Sequence, residues 1–194
     1  APSAGYDPAA WQALSEMGVA GIVIPEAFGG TAFGYLSLGL VLEQLGRNLA
    51  ASPLAATSAA ASAIVLGESE AAKAEWLPRI ASGEVVATLA VDEGPVHDPA
   101  KVATKVVDGR LSGTKAFVAE GDSAGVFVVA ADDGLYLVSG DVGVTRSPRH
   151  MTDSRSHAQI TFADAPAERL GDTALTARVV DRATAAVCAE MLGL

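Results

Sequence analysis

The spacing of apolar residues changes once along the chain, near residue 84, and this change constrains the fold more than any other feature of the sequence. Before residue 84 the apolar residues recur at helical spacings, whereas after it they alternate in short runs rich in β-branched residues. From about residue 176 the helical pattern returns and continues to residue 194. Helices followed by strands, without interleaving, predict an α+β or two-domain arrangement.

Start and stop signals predict four helices in the first part of the chain. They cover residues 8–17 with Asp7 as N-cap, residues 34–48, residues 53–66, and a segment that begins after the cap Ser69 and ends before Pro78. The first helix is expected to place Trp11, Leu14 and Met17 on one face, and the second to present Leu36, Leu40 and Leu45. The third is apolar nearly all round, which predicts burial between other helices. Residues 19–25 are predicted to be extended.

Six strands are predicted in the second part, at residues 85–91, 102–107, 110–118, 126–131, 135–138 and 158–162. Asp108-Gly109 and Asp133-Gly134 separate neighbouring strands, and both dipeptides favour tight hairpin turns. Short strands joined by turns at this spacing predict a small barrel or sandwich.

Charge and cysteine content exclude several classes of protein. A formal net charge of −10 disfavours binding to nucleic acid and to anionic membranes. No apolar run approaches the roughly 18 residues of a membrane-spanning helix. The single cysteine, Cys188, is predicted to be a packed helix residue, and no Cys/His cluster predicts a metal site. Without a signal-like N-terminus, the chain is expected in the cytoplasm.

Five segments then carry a resemblance. Residues 11–30 combine a helix, a glycine stop and a P-E-x-x-G-G loop, and residues 43–53 contain E-x-L-G-R followed by a proline. Residues 67–84 hold Leu-Pro and Ser-Gly-Glu, residues 111–115 match L-x-G-x-K, and residues 162–171 leave the last predicted strand. In this order they resemble the acyl-CoA dehydrogenase family, including its actinobacterial members.

The resemblance implies a fold and an activity. It implies an N-terminal helical domain (residues 1–84), a β-barrel-like middle domain (residues 85–172) and the first helix of a missing C-terminal helical domain (residues 173–194). It also implies an FAD-dependent α,β-dehydrogenation of an acyl-CoA thioester, in which a glutamate takes the α-proton and flavin N5 takes the β-hydride. Members act as homo- or hetero-oligomers, so a partner chain is expected as well as the acyl-CoA.

Four residues correspond to the family's flavin contacts: Val91, Asp92, Phe117 and Ala119. Asp92 stands where the family has a threonine that donates to the flavin, and Ala119 stands where it has a threonine or serine. An ionised carboxylate accepts hydrogen bonds and does not donate them. This chain by itself is therefore expected to bind no FAD tightly.

No catalytic residue is predicted. The alternative base position that some members use falls on Ala183 or Thr184, and the acids of that helix, Asp181 and Glu190, are predicted to be solvated or capping residues. The resemblance places Arg146, Arg149 and Arg155 near the CoA phosphates or the adjacent subunit, with a salt-bridged surface as the alternative.

Other polar residues give weaker signals. Asp92 and Glu93 are adjacent on a predicted strand and would point to opposite faces, so they are not expected to share a site. His97, His150 and His157 are predicted to be surface histidines. No G-x-G-x-x-G follows a strand and opens a helix, so no phosphate-binding loop of that type is predicted.

Three functions remain open at this point. The chain belongs to an acyl-CoA dehydrogenase or one of its subunits, or to a non-catalytic partner subunit of a heteromeric one, or it is a free-standing binding module. The last helix is expected to expose an apolar face or to cover it with another chain, and this face comprises Val179, Val180, Val187, Cys188, Met191 and Leu192.

Overall fold

Helices precede strands in the structure, which confirms the predicted α+β class. The computed structural model describes residues 5–151 and 155–194. Its α-helices are α1 (Pro8–Glu16), α2 (Gly34–Arg47), α3 (Leu54–Leu66), α4 (Glu70–Ala81) and α5 (Thr173–Gly193). Its strands are β1 (Ala87–Ala90), β2 (Lys105–Val107), β3 (Arg110–Ala119), β4 (Val126–Ala131), β5 (Gly134–Ser139), β6 (Val144–His150), β7 (Ser156–Pro166) and β8 (Glu168–Gly171). The domain boundaries at residues 84 and 172 stay a prediction.

Side-chain caps fix the starts of three helices. The Asp7 carboxylate accepts from the Ala9 amide at 2.9 Å, and Ser69 Oγ accepts from the Ala72 amide at 3.0 Å, as predicted. Asp172 Oδ1 accepts from the Leu175 amide at 3.0 Å, so α5 begins at Thr173, which is earlier than the predicted residue 176.

None of the helices in the described ranges is long and apolar enough to cross a membrane.

Two expectations for segments of the helical part are wrong. Helix α4 continues through Pro78 to Ala81, because its buried last turn is held against the core. Residues 19–25 form turns instead of an extended segment, with the Ile24 amide donating to the Gly21 carbonyl at 3.0 Å. In both segments, tertiary packing of small and apolar residues determines the backbone conformation.

The buried face of α2 also differs from the prediction. Leu36 and Leu40 are 81% and 59% exposed, whereas Leu38 and Leu42 are fully buried. The buried set continues to Gly46, one further turn along the helix. The sequence contains two leucine series at helical spacing, and periodicity alone does not say which one faces the core.

Two four-stranded sheets form the second part of the chain, in the orders β1-β4-β5-β8 and β2-β3-β7-β6. Strands β1 and β4 pair in parallel, and the other pairs are antiparallel. The two sheets meet in one apolar layer, where the rings of Phe127 and Phe162 pack edge to face with centroids 5.8 Å apart. Both predicted hairpins are present.

Strands β6 and β8 were not predicted. Strand β6 contains Pro148 and two arginines and lies at a sheet edge, where a proline is tolerated and alternation is weak. Strand β8 has only four residues, and it is recognisable as a strand through its pairing with β5. Neither strand carries the alternating apolar pattern on which sequence prediction depends.

Helix α5 packs against α2 and α3 within the chain, and it is therefore more buried than expected. Val179 is fully buried, which corrects the expectation for that residue, and Val180 is partly buried. Val187, Met191 and Leu192 are 48%, 62% and 78% exposed, as expected. Cys188 is also exposed, so its prediction as a packed residue is wrong.

Candidate functional site

A cleft of about 430 Å³ lies between the strands and α5 and collects three of the four predicted flavin residues. Val91, Asp92 and Phe117 lie on its strand side, together with His97. Val180, Thr184, Val187, Cys188 and Met191 form its helix side. Ala119, the fourth predicted residue, lines the adjoining larger cavity.

The Asp92 carboxylate is already paired inside this cleft. His97 Nδ1 lies 2.9 Å from Asp92 Oδ1 and 3.0 Å from Oδ2. His97 is exposed, as predicted, but it is also the partner of Asp92. The resemblance implies a hydroxyl donor at position 92. This chain instead has a carboxylate acceptor there, and His97 is its hydrogen-bond partner.

Beside Asp92, Glu93 points to a different partner. Lys115 is fully buried, and its Nζ donates to Glu93 Oε1 at 2.8 Å and to the Val91 carbonyl at 3.0 Å. Glu93 also accepts from the Thr104 hydroxyl and from the amides of Ala103 and Thr104, at 2.6 to 2.9 Å. These bonds tie the loop after β1 to β3 and hold Asp92 at the cleft.

The charge states of this pair follow from its surroundings. Burial on its own would raise the pKa of Glu93, but the hydrogen bonds from Lys115, Thr104 and Ala103 outweigh it and lower the pKa to about 2. Burial lowers the pKa of Lys115, and Glu93 partly offsets that effect. Sequence reasoning missed this pair, although Lys115 lies in the L-x-G-x-K segment.

The backbone between cleft and larger cavity is unusual. The ladder between β3 and β7 shifts register between Lys115 and Val118. Phe117 and Glu120 have φ values of 51° and 55°, in the left-handed region that non-glycine residues seldom adopt. Such outliers cluster at functional sites. The Ala119 carbonyl between them accepts from Thr88 Oγ1 at 2.6 Å.

The larger cavity, of about 660 Å³, lies between α3, the start of the strands and α5. Small side chains of α3 form one wall: Ala55, Ala56 and Ala59. Leu89, Val187 and Met191 add larger apolar side chains. A cavity of this size with mostly apolar walls is suited to a hydrocarbon-rich ligand.

Glu120 belongs to the lining of this cavity, but its side chain is buried. Glu120 is 6% exposed, and its Oε2 has no hydrogen-bond partner. Burial raises the pKa of Glu120 to about 7, while the Arg155 charge and a hydrogen bond from Ser123 oppose the shift. Nothing in the sequence pattern pointed to Glu120, because its burial depends on tertiary packing around the end of β3.

Arg155 joins the strand part to α5. Its Nη2 and Nη1 donate to Glu190 Oε1 and Oε2 at 2.5 and 3.2 Å. Glu190 is 8% exposed, so its prediction as a solvated or capping acid is wrong. Asp181 is exposed, as predicted, and Ala183 and Thr184 line the cleft without offering a carboxylate.

The three predicted substrate arginines do not converge on one site. Arg146 pairs with Asp141 and lies over the Phe127 ring, and Arg149 donates to Gln159 Oε1 at 2.6 Å. Arg155 lines the large cavity, but Arg146 and Arg149 do not. A role for any of them in binding CoA stays a prediction.

Two further histidines were predicted to lie on the surface. His157 lines the large cavity and is partly buried, which corrects its prediction as a surface residue. The side chain of His150 lies outside the described part.

The four predicted flavin residues do not fit the flavin contacts that the resemblance implies. Val91 and Phe117 are apolar, and Ala119 has no hydroxyl. The Asp92 carboxylate is an acceptor engaged by His97. None of these four side chains can donate to an isoalloxazine edge.

Within the described ranges, no group of three His, Cys, Asp or Glu residues is arranged for a metal ion.

Comparisons with known proteins agree with this architecture. The family model "Acyl-CoA dehydrogenase, N-terminal domain" matches residues 3–84. Acyl-CoA dehydrogenase FadE28 of Mycobacterium tuberculosis is 33% identical over 157 residues, which cover 79% of this chain and 45% of that protein.

Solved structures extend the likeness over nearly the whole chain. A variant of the Tcur3481-Tcur3483 steroid ACAD superposes with a TM-score of 0.90 at 33% identity, covering 98% of this chain and 55% of that one. The ChsE4-ChsE5 complex of Mycobacterium tuberculosis gives a TM-score of 0.87 at 29% identity, covering 97% and 54%. This chain thus spans about half the length of the relatives it matches. Its sequence and its fold together show that the chain belongs to the acyl-CoA dehydrogenase family.

Proposed function

We propose that this chain is part of a non-catalytic partner subunit in a heteromeric acyl-CoA dehydrogenase, where it shapes the acyl-binding cavity while another chain holds the flavin. The observation that carries the proposal is the Asp92–His97 pair, which stands where the resemblance places a hydroxyl donor. Ala119 removes the second donor. A flavin edge facing these residues would meet an acceptor and a methyl group.

Two related structures support the heteromeric arrangement. ChsE4-ChsE5 is a complex of two proteins, and the Tcur3481-Tcur3483 steroid ACAD is likewise named for two proteins. This chain also exposes large apolar side chains on two helices that pack together, among them Leu36 and Leu40 on α2 and Met191 and Leu192 on α5. Exposed apolar side chains of this size are suited to a subunit interface.

In the proposed subunit, the large cavity receives the acyl group. Ala55, Ala56 and Ala59 keep the α3 wall open, and Leu89 and Met191 contribute apolar contact. The ion pair between Arg155 and Glu190 holds α5 against the strands and so fixes the distance between the walls. The residues of this chain therefore bind and position the acyl group, and we assign none of them a proton transfer.

The second candidate is a dehydrogenase subunit with its own flavin. The cleft favours it, because it brings together Val91, Asp92 and Phe117, to which the resemblance assigns flavin contacts. Backbone amides would then have to replace both lost side-chain donors. The two candidates differ in one measurable property, which is the affinity of this chain for FAD.

The test uses two titrations of the purified chain. S-decanoyl-N-acetylcysteamine, a CoA-free acyl thioester, is titrated by calorimetry, and FAD is titrated in a parallel experiment. The proposal expects saturable binding of the thioester and no saturable binding of FAD in the low-micromolar range. Tight FAD binding would instead support the second candidate, and the absence of thioester binding would overturn the assignment of the cavity.

A further inference from the structure

The cleft between the strands and α5 has an aromatic side chain in its wall. Phe117 lines the cleft and is 45% exposed, although it is large and apolar. Its backbone has a φ of 51°, at the point where the ladder between β3 and β7 shifts register. A half-exposed ring at a strained backbone position is suited to contact a ligand.

The helix side of the same cleft is apolar and polarisable. Val180 and Val187 contribute aliphatic surface, and Cys188 and Met191 contribute sulfur atoms. Sulfur makes favourable contacts with aromatic rings. The two sides of the cleft are therefore suited to hold a ring between them.

Three polar side chains of the cleft offer acceptors. The Asp92 carboxylate only accepts, so the hydrogen between it and His97 lies on Nδ1, and the neutral imidazole then accepts at Nε2. The Thr184 hydroxyl donates to the Val180 carbonyl at 2.9 Å, which leaves its oxygen to accept. These groups are accessible, since the side chains of Asp92 and His97 are 29% and 57% exposed and Thr184 is exposed. A ligand of this cleft has to bring the donor.

The acceptor and the ring are fixed relative to each other. The Asp92 carbonyl accepts from the Ala116 amide at 2.7 Å, and the Val91 carbonyl accepts from Lys115 Nζ at 3.0 Å. Both bonds hold the start of the loop after β1 against β3, beside Phe117. A site that is already ordered loses less conformational entropy when it binds a ligand.

We propose that the cleft is a second ligand site, which takes an aromatic ring that carries an O–H or N–H donor, such as a phenol or an indole. The ring packs between Phe117 and Met191, and the Asp92 carboxylate accepts the hydrogen bond. The charge of Asp92 disfavours ligands with a carboxylate or a phosphate at this place. The inference goes beyond the proposed function and rests on it in one respect, which is that this chain holds no flavin in the cleft.

The experiment compares two ligands that differ by one donor. They are 4-propylphenol and its methyl ether, 4-propylanisole, and both are titrated against the chain at about pH 8, where a phenol keeps its hydrogen. Backbone amide chemical shifts from NMR report both the affinity and the place of binding. We expect the phenol to shift the amides of residues 116–118 and to bind roughly tenfold more tightly than the ether, which corresponds to one hydrogen bond to a charged acceptor.

Matched variants assign the two contacts. Asp92→Ala should lower the ratio to about threefold or less, because the charged acceptor is lost while neutral acceptors remain. Asp98→Ala should leave the ratio unchanged, since Asp98 lies in the same loop but outside the lining of the cleft. Phe117→Leu should weaken both ligands by roughly three- to tenfold, and Phe33→Leu, at a ring that is 69% exposed and outside the cleft, should weaken neither.

The possible results separate this inference from the proposed function. If Phe117→Leu does not fold, the wild-type ratio and Asp92→Ala still decide. Equal affinities for the phenol and the ether, shifts confined to the α3 wall of the large cavity, or no saturable shifts at all would each overturn the inference. Each of these results leaves the proposed function standing, because the titrations with the acyl thioester and with FAD test it separately.

Discussion

His97 Nδ1 lies 2.9 Å from Asp92 Oδ1 and 3.0 Å from Asp92 Oδ2. This pair occupies the edge of the cleft at which the family resemblance places a hydroxyl donor to the flavin. A carboxylate held by an imidazole cannot donate. The side chain at position 92 therefore does not fit the flavin contact that the resemblance implies, although the fold matches that of the family.

The buried ion pair between Lys115 and Glu93 should be essential for stability. Lys115→Met leaves the partly buried Glu93 without its main partner, and we expect a loss of about 3 kcal/mol in the free energy of unfolding. Urea denaturation followed by circular dichroism measures this loss. Lys101→Met is the matched control, because Lys101 is exposed and lies 3.3 Å from Asp98. It should change stability by less than about 0.5 kcal/mol; equal losses in the two variants would contradict the account.

Glu93 should make the chain sensitive to acid. Its pKa falls from 4.5 to about 2 on folding, so its contribution is complete above about pH 5 and is lost as the pH falls through about 2. Glu93→Gln should therefore destabilise the chain by on the order of 2–3 kcal/mol at neutral pH, and by progressively less toward pH 2. Unfolding curves at several pH values measure this difference. A constant difference at all pH values would show that the pKa of Glu93 is not lowered.

Glu120 should have the opposite effect. Its pKa rises from 4.5 to about 7 on folding, so its contribution to stability is present below about pH 4.5 and is lost as the pH rises through about 7. Glu120→Gln should thus be more stable than the wild type at about pH 8, by on the order of 2–3 kcal/mol, and nearly equal to it at about pH 5. Denaturation at both pH values tests this expectation. A wild type that is the more stable protein at pH 8 would contradict it.

The contact between α2 and α5 predicts different effects for two glycines of α2. A Cβ at Gly46 would overlap the Glu190 carbonyl oxygen, whereas a Cβ at Gly39 would lie 3.6 Å from the Ala189 Cβ, at ordinary contact distance. Gly46→Ala should lower the melting temperature, with a cost of about 1–3 kcal/mol. Gly39→Ala should be neutral or stabilising by up to about 1 kcal/mol, because alanine favours the helix. Equal melting temperatures would show that the helices do not pack as closely as described.

Much of the fold was predictable from local signals. The caps Asp7 and Ser69, the Asp108-Gly109 turn and the all-round apolar α3 each act within a few residues, and the structure confirms them. Strand β6 and the buried face of α2 were not predicted, because they depend on which partner lies across the sheet or the helix interface. Local periodicity carries no information about that partner.

The candidate site was only partly predictable, for a related reason. The resemblance led to Val91, Asp92 and Phe117, which the structure brings into one cleft. It gave no sign of the Asp92–His97 pair, because His97 reaches Asp92 through the fold of the loop after β1. Glu120 was missed because its burial depends on tertiary packing around the end of β3, where its backbone has a positive φ.

Adding the missing donors should create flavin affinity. In the double variant Asp92→Thr with Ala119→Ser, two hydroxyls replace a carboxylate and a methyl group, and we expect FAD to bind at least about tenfold more tightly than to the wild type. The same types of change outside the cleft, Asp122→Thr with Ala74→Ser, should have no effect, because both residues are exposed. If the two double variants gain nothing, the side chains at positions 92 and 119 do not control flavin binding.

The most direct test of the central claim is a titration of the purified wild-type chain with FAD, followed by flavin fluorescence. We predict no saturable quenching in the low-micromolar range, because the cleft offers the Asp92–His97 pair and Ala119 where side-chain donors would be needed. Saturable binding in that range by the wild-type chain would contradict the account and assign the flavin to this subunit.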